Sequence, residues 1–127
     1  MHAGDVISWT RTFIESEVRA FSQLSGDAGS QHVLPDEDGR LMVQGLLTAS
    51  LPTKIGGDIS YIAREMNFNF HRPVFAGDTI RCDVTIDEIG SAQRTKVPLS
   101  CSWVCTNQSG EIVMTGESHG FLPITDN

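Results

Sequence analysis

The sequence predicts an α+β domain in which a five-stranded antiparallel sheet wraps one face around a central, buried helix. Three observations carry that prediction. Residues Leu41 to Leu51 form a run that is apolar almost all round, four extended runs follow Ile59 with short turn signals between them, and a fifth extended run lies near the N-terminus. Short links favour antiparallel pairing, and a helix apolar on most sides has to be covered on most sides. With 127 residues the chain buries roughly two-thirds of its unfolded surface, enough for one core. No Gly-, Pro- or Ser-rich stretch and no run of like charge marks a linker, so residues 1–127 read as one domain.

Each element has its own signal. Residues 6–13, VISWTRTF, carry partly alternating β-branched and aromatic side chains and read as the first strand. Ile14, Val18, Phe21 and Leu24 then recur at helical spacing. Glu15 and Glu17 suit the first turn of that helix, and Gly26 supplies its stop. Residues 27–40, DAGSQHVLPDEDGR, hold two glycines, a proline and four acidic groups, which predicts a loop. The central helix is expected over residues 41–57, ended or kinked by Pro52, which lacks a backbone donor, and closed by Gly56 and Gly57. Strands are expected over residues 59–70, 79–89, 94–106 and 111–122. Ala76-Gly77-Asp78, Gly90-Ser91 and Asn107 to Gly110 form the turns between them.

Charge narrows the function. The net charge is -7 against only nine Lys and Arg, with no basic cluster interleaved with aromatics, so nucleic acid is excluded as a partner. The N-terminal residues lack the basic and apolar regions of a signal peptide, and no stretch approaches the ~18 apolar residues of a membrane span. The expected compartment is therefore the cytoplasm, with no membrane partner. Cys101 and Cys105 fall on one face of one expected strand, too far apart to bridge, and His2, His32, His71 and His119 have no zinc spacing. Neither a disulfide nor a metal is expected. His71 and His119 read as surface or edge residues, while Arg64, Arg72 and Lys54 are candidates to meet a phosphate.

Asp27 and His32 stand out as chemistry. They lie five apart, and Ala28, Gly29 and Ser30 between them are small enough for the chain to curl until both side chains face one spot. A carboxylate and an imidazole so placed could grip one water, one taking its proton while the other orients it. The plainer reading makes Asp27 a loop cap and His32 a surface residue. Gly45, near the start of the buried helix, could offer a backbone amide to an oxygen gaining negative charge, or could simply permit close packing. Ser50 and Thr53 on the same helix could touch substrate or bond back to a carbonyl one turn earlier.

Taken together, LSGDAGSQH (24–32), VQGLLTASL (43–51), FNFHRPVFAGDTI (68–80) and NQSGEIVMTG (107–116) resemble, in order, the MaoC-like hydratase/dehydratase family that includes the (R)-specific enoyl-CoA hydratases. The most specific element is the family's Asp-x-Asn-Pro-x-His motif, to which Asp27 and His32 align. The resemblance implies a hot-dog fold, a homodimer with its active sites near the interface, and Asp27, His32 and Gly45 as catalytic residues. It places Thr53, with Ser50 and Gln44, on the substrate. The implied substrate is an acyl-CoA or acyl-carrier-protein thioester, which undergoes reversible addition of water across its trans-2 double bond. Coenzyme A would then enter only as part of the substrate, with no separate cofactor. Four departures are visible. Gly29 and Ser30 replace the motif's Asn and Pro, Gln44 replaces a His before the helix glycine, Pro52 interrupts the helix, and the link from His32 to Gly45 is short. A non-catalytic acyl-CoA-binding module would tolerate these changes. A hot-dog thioesterase fits less well, because residues 41–57 contain no carboxylate.

Overall fold

A computed structural model describes residues 1–124. The chain runs β1 (Val6–Thr12), α1 (Glu15–Ser25), α2 (Ser30–Val33), α3 (Gly45–Thr48), α4 (Ser50–Asp58), β2 (Ile62–Phe70), β3 (Thr79–Ile89), β4 (Lys96–Thr106) and β5 (Ile112–Pro123). All five strands form one antiparallel sheet in the order β1-β3-β4-β5-β2.

Alternation decides which face the sheet turns inward. Ile80, Cys82, Val84 and Ile86 on β3 are buried every second residue, as are Leu99, Cys101, Trp103 and Cys105 on β4. These side chains close over Leu51 and Ile55 of the central helix, and Phe13 and Val18 complete the core from the β1–α1 corner. The inner face is shallow along β5. A Cβ at Gly116 would lie 2.1 Å from the Asn67 carbonyl oxygen and 2.6 Å from the Trp103 ring, and one at Gly120 would lie 2.1 Å from the Ile62 oxygen. Strand β2 is an outer strand. Ile62, Met66 and Phe70 on it are a third to a half exposed.

The central helix differs from the sequence expectation at both ends and in its middle. Leu41 to Gln44 are extended rather than helical. Val43 donates to the Val74 oxygen at 2.7 Å, Ala76 donates to the Leu41 oxygen at 2.8 Å, and Met42 bridges Phe75. Leu41 and Val43 are as buried there as a core helix would make them, at 2% and 4% exposure, and a short apolar run does not by itself distinguish the two conformations. Helical backbone starts at Gly45; its regular bonding is interrupted at Ala49, which stays right-handed with φ of -62° and ψ of -16°, and resumes at Ser50. The interruption lies upstream of Pro52 because the proline ring crowds the carbonyl four residues earlier, that of Thr48. Pro52 itself sits in the first turn of α4, where a missing N–H costs little. Gly56 and Gly57 lie inside the helix, which ends at Asp58. Among the described residues no helix is long and apolar enough to cross a membrane.

Candidate active site

The site is assembled at the head of the central helix by a tightly bonded corner. Gly26 ends α1 in the left-handed region, with φ of 80° and its N–H on the Ser22 oxygen. The next turn is fastened locally. The Asp27 amide donates to Ser25 Oγ at 3.0 Å, the Gly29 amide donates to Asp27 Oδ1 at 3.4 Å, and the His32 amide donates to the Gly29 oxygen at 2.9 Å. The curl brings Asp27 Oδ2 to 3.6 Å from His32 Nε2. At that separation a water can bridge the two groups.

His32 is held from behind by the extended segment that sequence reading took for helix. Its Nδ1 lies 2.7 Å from the Met42 carbonyl oxygen, which can only accept, so Nδ1 carries a hydrogen and, in the neutral ring, Nε2 presents the lone pair. The Met42 amide donates back to the Gln31 oxygen at 3.0 Å, completing a two-bond clasp. The imidazole is buried, at 5% exposure for the residue, whereas about half of the Asp27 side chain faces solvent. Far from being a surface residue, His32 is among the few buried polar groups.

Gly45 borders the same cleft of about 330 Å³ as His32, together with Thr48, Phe70 and His71. Among the described residues nothing accepts a hydrogen bond from its amide. The Phe70 ring covers Gly45 so closely that a Cβ would lie 3.1 Å from it.

The three residues that sequence reading placed on the substrate do not border this cleft. Gln44 is completely buried and turned away from the cleft. Its Nε2 donates to the Val18 oxygen and to Ser22 Oγ, both at 2.8 Å, tying α1 to the start of the central helix, while its Oε1 is buried with no partner among the described residues. The side-chain contact expected of Gln44 is therefore corrected to a structural tie. Ser50 Oγ donates to the Leu47 oxygen at 2.5 Å and Thr53 Oγ1 to the Ser50 oxygen at 2.8 Å, the backbone use of a helical hydroxyl. Thr53 also borders a second, largely apolar cavity of about 90 Å³ towards the helix tail, shared with Tyr61, Cys101 and Ser118. There Ser118 donates to the Glu65 oxygen and accepts from the Tyr61 hydroxyl, both at 2.8 Å. Burial, helped by the charge of Asp87, pushes the Cys101 thiol up to about 11, and burial likewise raises Tyr61.

Sequence reading missed Gln31, Thr48, Phe70 and His71 as cleft residues. Only Phe70 and His71 carried a signal, as the aromatic end of the FNFH run. His71 is oriented by a 2.7 Å contact from its Nε2 to Thr115 Oγ1. Two of the suggested phosphate ligands are already paired, Arg72 with Glu111 at 3.1 Å and Lys54 with Asp58 at 2.6 Å.

Residues 37–116 match the family model described as "FAS1-like, dehydratase domain region". The chain is 29% identical over 130 residues to "3-hydroxyacyl-[acyl-carrier-protein] dehydratase FERN, mitochondrial" of Solanum lycopersicum, covering 94% of this chain and 76% of that protein. Among solved structures it is similar to the unliganded R-hydratase PhaJ1 of Pseudomonas aeruginosa. The TM-score is 0.85 and the identity 19%, over 98% of this chain and 84% of that one. It is also similar to the (R)-hydratase of A. caviae involved in PHA biosynthesis, with a TM-score of 0.83 and 26% identity, over 97% of this chain and 98% of that one. A MaoC-like dehydratase from Rhodospirillum rubrum aligns over 100% of this chain and 96% of that one, with a TM-score of 0.78 and 16% identity. The curled sheet around its central helix is therefore a hot-dog fold, and the chain belongs to the FAS1-like dehydratase-region family as a hydratase/dehydratase of the hot-dog type.

Proposed function

We propose that the protein adds water reversibly to a trans-2-enoyl thioester, giving an (R)-3-hydroxyacyl thioester, and that Asp27, His32 and Gly45 carry the reaction. The observation behind this reading is the pairing of Asp27 Oδ2 with His32 Nε2 at 3.6 Å, the imidazole fixed with its lone pair outward. Water held between them gives its proton to one of the two groups as its oxygen bonds to the β-carbon. The electron pair of the double bond moves to the thioester carbonyl, whose oxygen is received by the Gly45 amide. A proton returned to the α-carbon on the same face completes the addition, and the reverse sequence is dehydration. The scheme uses no metal or redox cofactor, because the thioester carbonyl itself takes up the charge. The tomato relative is by its name a 3-hydroxyacyl-[acyl-carrier-protein] dehydratase and the A. caviae relative an (R)-hydratase; both support this reaction, and only the first names its carrier.

A homodimer is part of the proposal. The exposed apolar residues of outer strand β2 and its unpaired edge call for a partner strand, and light scattering at micromolar concentration reads the mass. The reaction is tested by following the enoyl-thioester absorbance with crotonyl-CoA, its longer homologues and the same acyl groups on a carrier protein. Loss of the band without release of thiol is expected. Thiol release would make the protein a thioesterase, and binding without turnover would make it an acyl-thioester-binding module.

A further inference from the structure

The corner between Asp27 and His32 contains a third polar group. The Gln31 side chain folds back over Gly29, so that a Cβ built at Gly29 would lie 2.9 Å from Gln31 Oε1, 3.1 Å from its Nε2 and 3.2 Å from its Cδ. The carboxamide thus fills the space in which a side chain at position 29 would start. From there Gln31 Nε2 reaches to 3.3 Å from His32 Nε2. Because His32 Nδ1 holds the hydrogen, its Nε2 accepts and the Gln31 amide donates. Both Gln31 and His32 border the cleft. The motif that this segment resembles has an amide side chain at the position of Gly29.

Resting on the hydratase/dehydratase reading above, we propose that Gln31 is a positioning residue for the water step, its carboxamide taking the place left empty by Gly29. It acts through His32, holding the imidazole edge in plane at the position from which Nε2 meets the water. The amide that the motif carries at position 29 is thereby supplied from position 31. The backbone allows the exchange to be reversed, since Gly29 has φ of -53° and ψ of 147°, open to any L-residue. Position 29 is also the N-cap of α2, where Asn is favoured.

The test is a swap. In Gln31→Met, kcat with crotonyl-CoA should fall roughly tenfold or more, with KM changed by less than about twofold, because the group acts on the proton-transfer step and not on substrate binding. In Gly29→Asn/Gln31→Met, kcat should recover most of that loss. Circular dichroism and the melting temperature confirm that the exposed substitution leaves the fold intact. The ¹⁵N resonance of His32 Nε2 should move in Gln31→Met and return in the double variant, a readout that does not depend on turnover. Unchanged kcat and an unchanged resonance in Gln31→Met overturn the proposal, and so does a double variant no better than the single one. A wild-type protein inert towards every enoyl thioester removes the hydratase reading itself. Active wild type with fully active Gln31→Met removes only Gln31.

Discussion

The central helix has a hollow at each end, and the two are built by different means. At the head, the cleft of about 330 Å³ is bordered by Phe70, His71 and Val74 as well as Gly45, but its polar corner is set by single hydrogen bonds within one stretch of chain: Asp27, Gly29, His32 and Met42 hold one another through backbone groups. At the tail, the cavity of about 90 Å³ is walled by side chains from four strands, among them Val84, Ile86, Leu99 and Trp103, which belong to the core. Polar groups are available where local bonds fix them one at a time. Where packing fixes everything at once, the lining is nearly all apolar. One chain can therefore change its chemistry at the head without disturbing the sheet, whereas changes at the tail are felt as stability.

The sharpest division of these roles comes from the head. Asp27→Asn and His32→Ala should each lower kcat by roughly 10² to 10⁴, the contribution of a positioned acid or base, with the melting temperature nearly unchanged. The double variant should lose little more than the worse single one, since groups that act as a unit do not add. An active Asp27→Asn protein with a lowered melting point would make Asp27 a loop cap and end the comparison. The converse substitution is Ile86→Ala at the tail, which removes a completely buried wall of the cavity. It should cost ~2–5 kcal/mol by denaturant unfolding and leave turnover of a short enoyl thioester per folded molecule within about twofold of wild type.

Gln44 joins the two regions, and its replacement should fall between them in kind and below them in size. Gln44→Leu removes the bonds to Val18 and Ser22 but also relieves the unpartnered Oε1. Two bonds at ~0.5–1.5 kcal/mol each, set against ~1–3 kcal/mol relieved with one buried orphan, nearly cancel, so the net change should stay within about 1 kcal/mol. A gain in stability would show that the orphan outweighs the tie. The smallest effect is alkaline. The Cys101 thiol rises from 9.0 to about 11 in the folded protein, so folding favours its neutral form. That stability is whole below pH 9 and is lost as pH climbs towards 11. The fall in melting temperature between pH 8 and about pH 11 should be shallower in Cys101→Ala, and an identical slope would leave Cys101 without a part in it.

Legibility followed the same division. Strand β3 begins and ends where alternation and the turn residues put it, at Thr79 and Ile89, because a period of two over one buried face admits a single register. The approach of Asp27 to His32 was readable from spacing, since Ala28, Gly29 and Ser30 are small enough to let the chain curl. The central helix was read four residues too early because Leu41 and Val43 bury equally well as an extended bridge beside Val74, a partner more than thirty residues away that no local pattern announces. Gln44 was misread for the same reason: its partners Val18 and Ser22 lie on another helix. The position of Gln31 over Gly29 depends on a side-chain torsion, and composition says nothing about torsions.

Gly116 and Gly120 carry the fold's narrowest tolerance into its history. With a neighbouring strand's carbonyl oxygen 2.1 Å from each missing Cβ, even alanine demands that two hydrogen-bonded strands part. A drifting lineage can rewrite the exposed turns many times over, but at these two positions on β5 it can spell only one residue for as long as it keeps this sheet.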